Sequence, residues 1–585
     1  MKQPWTLRFA WAAIVTIGSI ALLHAQGRGG GEWTTSGYDA QRTAWLRGDA
    51  RLTKNAVQKG EFQFLWKAKF DNEPRQLNSL TTPIILDRLI GYRGFKALAF
   101  IGGSDDRIFA IDTDLARPYW TTMLNYTAAT GGRPPSSWEC PGGLIATPSR
   151  RTVLTPSALG GGSGGGRGGA RTGSAVGEPG KGAAVLSQQQ PQRGARGGRG
   201  APAGPAQQAQ GRGRGPAPIG FGGVDPVYAM GSDGYLHTLQ SSNGADAEPP
   251  VPFLPPSTKP SALLWVDGIV YTTTSNGCGA APNAVWAIDL TAPDKDRKSI
   301  RWTTGGASLA GTNALALGTD GTLYVAVASE PAGSKRSSTA TDGQGREQTY
   351  ADAVVALDRV TLQPKDWFSA PGADFNASPI VIGQKDKDLV AVTANDGRVY
   401  LLDSTSLGGS DHKTPLHVTA KFTSSGAGTA LSTWEDGDTR WVLATAAGPA
   451  QAGMKFMSNG LAPNGRVVAF KLIDRDGKLS LESEWASRDL ISPLAPIVVN
   501  GMVFAVSSGE YRPASTTAAL GAAQRAQRSV PAVLYVLDGP TGKTLWSSGT
   551  KITSFARAGL SAGSGQVYLV TYDNHLYAFG IPMEH

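Results

Sequence analysis

Short apolar runs, rich in β-branched and aromatic residues, recur along the whole chain and alternate with polar turns. Asp-Gly or Asn-Gly pairs separate many of these runs, which is typical of β-hairpins. Eight runs end in motifs of one shape: RIFAIDTD (107–114), YLHTLQ (235–240), AVWAIDL (284–290), AVVALD (353–358), RVYLLD (398–403), RVVAFKL (466–472), VLYVLD (533–538) and HLYAF (575–579). The pattern therefore predicts a repeated unit of antiparallel strands, without long amphipathic helices.

Each motif belongs to a larger unit of three or four predicted strands. The stretch 379–403 shows three of them as PIVIG, DLVAVTANDG and RVYLLD. Several units continue into a fourth strand that carries a tryptophan: Trp120, Trp302, Trp367, Trp485 and Trp546. Such a unit cannot bury both of its faces alone, so the units must pack against one another around a ring. We predict an all-β fold, an eight-bladed β-propeller of four-stranded antiparallel blades.

The ring is predicted to close through the N-terminal part of the chain. The last unit, 559–579, stops after its third strand, whereas residues 61–70 (EFQFLWKAKF) form an isolated strand with Trp66 in the fourth-strand position. This strand would complete the last blade. The predicted propeller therefore spans 61–585, and an N-terminal segment, 26–60, leads into it.

Residues 1–25 have the pattern of an export signal peptide. Lys2 and Arg8 come before an apolar run from Phe9 to Leu23, and Ala25 is a small residue at the predicted cleavage point. The run is shorter than the stretch of about 20 residues that spans a membrane comfortably. Cleavage would release a periplasmic or secreted protein without a stable membrane span. Because Leu23 is an imperfect residue for cleavage, an uncleaved anchor stays open as the alternative.

The formal net charge of +9 and the pI of 9.3 come from two segments rather than from the propeller. The Gly/Ala/Pro/Gln/Arg tract 159–219 holds eight basic residues and one glutamate, an excess of seven, and the signal adds two. The rest of the chain is formally neutral, so the sequence predicts no nucleic-acid-binding face.

The same tract interrupts the second blade between its first strand, in 144–154, and its second strand, in 226–234. It is poor in apolar residues and cannot bury enough surface to fold, so we predict a disordered insertion. The alternative is an arginine-rich arm that contacts an anionic surface.

Loop lengths indicate where a site would lie. In a four-stranded antiparallel blade, the turn between strands two and three lies on the same face as the links between blades, and we call this face the top. These turns are expanded in four blades: 275–283, 329–352, 446–465 and 508–530. Loops beyond about 12 residues are usually functional or disordered. We therefore expect an unknown protein partner or a small-molecule ligand to bind at the top, where the central channel opens.

The two cysteines of the chain are predicted to lie on the top face as well. Cys140 is in the link that leads into the second blade, and Cys278 is in the expanded loop of the third. Because these blades are adjacent and an exported protein meets an oxidising compartment, we predict a disulfide between them. Two free thiols are the alternative.

Two of the expanded loops are similar to each other. The segment 275–283 contains Ser-Asn-Gly followed by Ala-Pro-Asn, and 458–464 repeats both tripeptides. One interpretation is turn chemistry retained from duplication of the repeat. The other is that the asparagine oxygens bind a cation or a polar ligand.

The repeat as a whole resembles a known family. Its order of PIVxxG, an apolar strand with Asp-Gly, an xVYALD-like strand and a tryptophan is similar to the pyrroloquinoline quinone (PQQ) repeat. Residues 33–70 resemble the start of quinoprotein alcohol dehydrogenases, and the similarity covers nearly the whole chain after the signal except 159–219. The resemblance implies the propeller fold and two kinds of function, because the same repeat builds the non-catalytic scaffold propellers of the outer-membrane assembly factor family.

Few residues that the dehydrogenases use have counterparts here. The resemblance implies that Asn276, in YTTTSNG, is a cofactor-binding residue and a calcium ligand. The catalytic aspartate expected shortly after Trp302 is absent, and Asp233 is the sole counterpart of the calcium-binding glutamate. Trp138 and Glu139, in SSWECPGG, are further candidates for a pair that faces the ligand, with a structural role for Trp138 as the alternative. No catalytic residue is assigned.

Two hypotheses from different classes follow. The first is an exported propeller that binds a protein or a small ligand through its top loops without redox turnover. The second is a divergent quinoprotein dehydrogenase that oxidises an alcohol or sugar with PQQ and calcium. The residues by themselves establish neither cofactor. A position of Asn276 facing the channel, with a carboxylate beside it, would favour the second hypothesis.

Overall fold

The computed structural model describes residues 31–582 with gaps at 92–93, 125–139, 153–224, 314, 331–339, 342–346, 349, 386, 425, 452–453 and 513–519. The described residues form eight blade sheets that follow one another along the chain, together with one small two-stranded ribbon, which confirms the predicted eight-bladed β-propeller. The predicted signal peptide and the tract 159–219 lie outside the described residues. In the part of the chain that is described, no helix has the length and apolar character that a membrane crossing requires.

The first half of the chain supplies the N-terminal elements and four blades. The N-terminal elements are β1 Trp45–Leu46, α1 Lys54–Gln58 and β2 Gln63–Lys69. Blade 1 contains β3 Ile84–Gly91, β4 Gly94–Gly102, β5 Arg107–Asp112 and β6 Arg117–Met123, and blade 2 contains β7 Val227–Met230, β8 Tyr235–Leu239 and β9 Asp246–Pro252. Blade 3 contains β10 Leu264–Val266, β11 Ile269–Thr274, β12 Ala284–Asp289 and β13 Ile300–Thr303. Blade 4 contains β14 Ala316–Leu317, β15 Thr322–Val327, a small ribbon of β16 Ala340–Thr341 and β17 Glu347–Gln348, then β18 Ala353–Asp358 and β19 Pro364–Ser369.

The second half supplies the other four blades. Blade 5 contains β20 Ile380–Gln384, β21 Lys387–Thr393, β22 Val399–Asp403 and β23 His417–Val418. Blade 6 contains β24 Ser432–Asp436, β25 Thr439–Ala447, β26 Met457–Ser458, β27 Gly465–Arg475 and β28 Lys478–Ala486. Blade 7 contains β29 Ile497–Val499, β30 Met502–Ser507, α2 Ala522–Arg528, β31 Val533–Asp538 and β32 Thr544–Ser547, and blade 8 contains β33 Ser561–Gly563, β34 Gln566–Val570 and β35 His575–Gly580. Short 3-10 helices occur at Cys278–Ala280, Asp294–Asp296 and Gly409–Asp411.

The middle strands of the blades are apolar on both faces because each blade packs between two neighbours. Every residue of β15 and of β30 is buried, and so is every residue of β34. The outer strands alternate instead, as in β2, where one face contacts solvent. This difference explains why the motif strands read as continuous apolar runs in the sequence.

The N-terminal strand closes the ring, as predicted. β2 pairs antiparallel with β35 and becomes the outer strand of blade 8. Trp66 lies opposite Ala578, and its indole Nε1 donates a hydrogen bond to Gln566. The side-chain amide of Asn72 donates to the side-chain oxygen of Asn574 at 2.7 Å, which joins the two ends of the propeller again beyond the strand pair.

Three blades depart from the predicted four strands. In blade 2 the first strand is reduced to a bridge between Ser149 and Tyr228, because the chain turns at Arg151 to pair with Trp265 of blade 3. Blades 6 and 7 have five strands each. The extra strands are β26, which runs parallel to β28, and β1, which runs parallel to β29.

Residues 33–49, which we call the plug, run along the inside of the ring. The plug contacts the blades in their order around the ring, from Trp33 at blade 1 to Asp49 at blade 8. Six of its carbonyl groups accept backbone N–H groups of the innermost segments at 2.7–2.9 Å: Trp33 from Ile85, Thr34 from Arg150, Ala40 from Leu317, Gln41 from Val381, Thr43 from Thr433 and Ala44 from Val498. The plug therefore satisfies donors that an open channel would leave to water.

Candidate functional site

A cavity of about 350 Å³ opens at the top of the channel. The plug forms its floor through Trp33, Ser36, Gly37 and Ala44. Its walls come from the links that lead into the blades, such as 77–82 before blade 1 and 494–497 before blade 7. The cavity thus lies on the face where the sequence predicted a site, although the plug that closes it from below was not predicted.

Hydroxyl groups and small apolar side chains make up most of the wall. Thr81 and Thr82 use their hydroxyl oxygens to accept the backbone N–H groups of Gly102 and Gly559, so these side chains hold the links in place. Across the channel, the side chain of Asn313 accepts a hydrogen bond from Ser36 of the plug at 2.6 Å. These bonds make the wall a preformed surface rather than a set of loose loops.

Among the described residues, charged side chains line the wall at one place, between blades 7 and 8. Arg512 and Arg557 line the cavity there, and both contact the buried carboxylate of Glu510. Nε of Arg512 lies 3.1 Å from Oε2 of Glu510, and Nε of Arg557 lies 3.2 Å from Oε1. A third arginine, Arg525, places Nη2 2.8 Å from Oε1. We call these four residues the arginine cluster.

The expanded loop of blade 7 builds most of the cluster. It supplies Glu510, Arg512 and, from α2, Arg525, whereas Arg557 comes from the link into blade 8. Gly509 has a φ of 72°, and a Cβ atom at this position would lie 2.0 Å from the carbonyl oxygen of Val530. Glycine is therefore needed for the loop to turn back on itself directly beside Glu510.

Burial and charge act in opposite directions within the cluster. Burial raises the pKa of Glu510, but the three arginines outweigh it and hold the pKa below its ordinary value. Burial lowers the pKa of Arg557 and of Arg525, and Glu510 opposes that change. Because arginine keeps its charge at neutral pH, three guanidinium groups face one carboxylate. The cluster therefore carries an excess of two positive charges.

The residues that the sequence proposed for the site fall in different places. Asn276 is exposed, has a φ of 65° in a left-handed turn, and is not among the residues that line the cavity. Trp138 and Glu139 lie outside the described residues. Cys140 and Cys278 are joined in a disulfide, which ties the link into blade 2 to the loop of blade 3 across 138 positions of the sequence.

The asparagines of the two similar loops mostly donate hydrogen bonds to other segments of the protein itself. The side-chain nitrogen of Asn283 donates to the carbonyl of Gly306, and that of Asn464 donates to Asp489. Asn459 donates to the carbonyls of Ala486 and Thr541. These contacts support the interpretation of the repeated tripeptides as turn chemistry for three of the four asparagines.

The described part of the wall does not fit a calcium-held quinone. Calcium takes six to eight oxygen ligands that usually include carboxylates, and no aspartate, glutamate or histidine is among the described residues that line the cavity. Across the described ranges, no group of three or more His, Cys, Asp or Glu side chains is placed to hold a metal ion. The two arginines of the wall would also repel a cation.

The arginine cluster was not identified from the sequence. Single arginines do not stand out in a chain that contains a basic tract, and Arg557 lies 47 positions from Glu510 in a link of ordinary length. The one available signal was the expanded loop 508–530, which the sequence did mark as a top-face feature. Of the four expanded loops, this is the one that contributes to the described wall.

Comparison with solved structures agrees with the fold. A quinohemoprotein alcohol dehydrogenase from Comamonas testosteroni matches with a TM-score of 0.52 and 13% identity, covering 95% of this chain and 81% of that one. The quinohemoprotein alcohol dehydrogenase ADHIIG from Pseudomonas putida HK5 matches with a TM-score of 0.50 and 11% identity, covering 95% and 82%. BamB from Moraxella catarrhalis matches with a TM-score of 0.43 and 11% identity, covering 90% and 99%.

No family model matches the chain, and no curated protein matches it. The first two structural matches confirm the resemblance to PQQ-repeat propellers at the level of the fold. At such low identity the fold does not carry an activity with it.

Proposed function

We propose that this protein is an exported ligand-binding propeller whose site is the cavity at the top of the channel. The single observation that carries the proposal is the cavity itself, closed below by the plug and walled by hydrogen-bonded links. A concave, preformed space with a few convergent polar groups is the usual form of a small-molecule site. The predicted signal peptide supports an extracytoplasmic location.

The chemical groups that line the wall also support ligand binding rather than catalytic turnover. Its described residues offer hydroxyl, amide and guanidinium groups that can orient a ligand. None of them is a carboxylate or imidazole that could accept a proton from a substrate alcohol. The plug adds rigidity, because its carbonyls fix the innermost strands around the floor.

The test is a screen of a small-molecule fragment library by ligand-observed NMR, with neutral, anionic and cationic members. Ala558 lines the cavity, so Ala558→Trp fills it. Ala247 lies exposed on the outer strand β9, so Ala247→Trp makes the same change far from the cavity. We expect fragments that bind the unmodified protein to be lost with Ala558→Trp and kept with Ala247→Trp. Equal binding by both variants would contradict the proposal.

A second candidate is a PQQ- and calcium-dependent dehydrogenase acting on an alcohol or sugar. The observation that favours it is the shared fold with two quinohemoprotein alcohol dehydrogenases. In this candidate, Asn276 and Glu139 would bind the cofactor. Neither residue belongs to the described wall of the cavity. Reconstitution with PQQ and calcium, followed by dye-linked alcohol oxidation, tests it. Turnover that depends on both PQQ and calcium would favour the dehydrogenase over the ligand-binding propeller. Binding of PQQ without turnover would favour the ligand-binding propeller.

A further inference from the structure

The arginine cluster has more positive charge than its carboxylate neutralises. One buried carboxylate needs one well-placed guanidinium for charge balance, yet Glu510 contacts three. Three guanidinium groups that converge on one carboxylate make the surroundings of Glu510 positive. An anion in the cavity would be attracted to the two guanidinium groups that line its wall.

The geometry directs this charge into the cavity. Arg512 and Arg557 are 45% and 29% exposed and line the wall, whereas Glu510 has no exposed side-chain surface behind them. The planar guanidinium group matches carboxylate and phosphate oxygens with paired N–H donors. The side of the cavity between blades 7 and 8 is thus positive toward its contents.

Tyr572, in blade 8, also lines the cavity wall. Its ring stacks on Phe555 with centroids 4.7 Å apart, which fixes its position in the turn of blade 8. Burial raises the pKa of the Tyr572 phenol, so the group stays protonated and can donate a hydrogen bond. This adds a neutral donor to the cavity wall.

Among the described residues, the opposite side of the cavity is uncharged. It presents Ser36 and Gly37 of the plug together with Thr312 and Asn313. A ligand that fits both sides would carry its negative charge at one end and uncharged polar groups at the other.

We propose that Arg512 and Arg557 bind the carboxylate or phosphate group of a small ligand in the top cavity. This inference rests on the proposed function, because it assigns the ligand class of the same cavity. Glu510 lies behind the two arginines and competes with a bound anion for their guanidinium groups. Carboxylate and phosphate share the oxygen geometry that the guanidinium groups recognise.

The experiment is calorimetric titration of the full mature chain with citrate and, separately, with inorganic phosphate, at constant ionic strength maintained with sodium chloride. The variants are Arg512→Gln, Arg557→Gln and Glu510→Gln. The matched control is Arg475→Gln, which removes an exposed arginine paired with Glu482 on blade 6. We expect Arg512→Gln and Arg557→Gln to weaken binding at least tenfold, and Arg475→Gln to change it less than twofold.

Glu510→Gln separates binding from a structural role. Removing the carboxylate that competes for the guanidinium groups should tighten anion binding, whereas loss of a merely structural cluster would weaken it. Should Glu510→Gln fail to fold, Arg512→Gln decides, because Arg512 is well exposed and its replacement leaves the cluster paired. Stronger binding of citrate than phosphate identifies a carboxylate ligand, and the reverse order identifies a phosphate ligand.

Two results would overturn the inference. One is that neither anion binds the unmodified protein. The other is that Arg512→Gln and Arg557→Gln bind both anions as well as Arg475→Gln does. Neutral fragments that bind the cavity and are lost with Ala558→Trp would in either case leave the proposed ligand-binding function intact.

Discussion

Glu510 is the residue on which the arginines at the cavity wall converge. A carboxylate without any exposed surface is costly unless it is paired, and here three arginines hold its pKa below the ordinary value. The same contacts place two guanidinium groups on the cavity wall. The same side chain therefore stabilises the fold and, in the proposed site, competes with the anion for the two guanidinium groups.

The depressed pKa of Glu510 predicts a pH dependence of stability. Its stabilising contribution is present above the ordinary pKa of 4.5 and is lost as the pH falls through the lower folded value. Glu510→Gln should lower the free energy of unfolding at pH 7 by about 3–5 kcal/mol, because it removes the buried negative charge that three guanidinium groups contact. The difference from the unmodified protein should shrink as the pH falls below about 4. Denaturant unfolding across this range measures it.

Glu482→Gln is the control for this prediction. Glu482 is exposed and pairs with Arg475, so its replacement should change stability by less than about 1 kcal/mol at any pH. A pH-independent difference between Glu510→Gln and the unmodified protein would show that the charge of Glu510 does not stabilise the fold.

The plug is the element that closes the central channel from below and so forms a cavity. Its carbonyls satisfy inner-strand donors of six blades among the described residues, and its side chains form the floor of the cavity. Arg42, a buried residue of the plug, holds the plug in place through hydrogen bonds. This buried guanidinium donates to the carbonyl of Leu315 at 2.8 Å and to the hydroxyl of Thr35 at 2.8 Å, and burial lowers its pKa to about 9.

Replacing Arg42 should destabilise the plug and loosen the floor. Arg42→Met keeps the volume but leaves buried oxygen acceptors without their donor, so the free energy of unfolding should fall by about 1–3 kcal/mol. Arg47→Met is the matched control, since Arg47 is 37% exposed and lies 3.5 Å from Asp39, a pair worth less than about 1 kcal/mol. Denaturant unfolding of both variants tests this. Equal losses would show that the hydrogen bonds of Arg42 do not stabilise the plug.

At the scale of the whole molecule, the ring tolerates a long interruption of blade 2. Ser149 pairs with Tyr228, so the chain leaves and returns at neighbouring positions, and Arg151 contacts Asp225 at 3.2 Å just beyond the pair. A segment that departs from a closed hairpin base adds chain without separating the strands. The tract 159–219 lies between these two points.

Deletion of 159–219 should therefore leave the propeller folded. The residues that remain between Thr152 and Asp225 are enough to join two adjacent positions, and the shorter loop has less entropy to lose. The free energy of unfolding should stay the same or rise by about 1 kcal/mol. Thermal and denaturant unfolding measure this, with far-ultraviolet circular dichroism to confirm the β content. A large loss of stability would mean that the tract packs on the propeller.

The amino-acid sequence by itself determined the architecture, because each blade consists mainly of strands that follow one another directly in the sequence. The apolar runs, the Asp-Gly turns and the fourth-strand tryptophans indicated eight blades, and the unpaired strand around Trp66 indicated how the ring closes. The disulfide between the two cysteines was predictable for the same reason, since the order of blades places neighbouring loops on one face.

Only the tertiary structure decided what fills and lines the channel. The plug has no periodic pattern, and its contacts join residues hundreds of positions apart, such as Asp49 and Gly565. The arginine cluster likewise depends on a loop and a link that meet because the ring brings blades 7 and 8 together. Strand pairing follows from local periodicity, whereas a cavity wall depends on which loop ends converge in space.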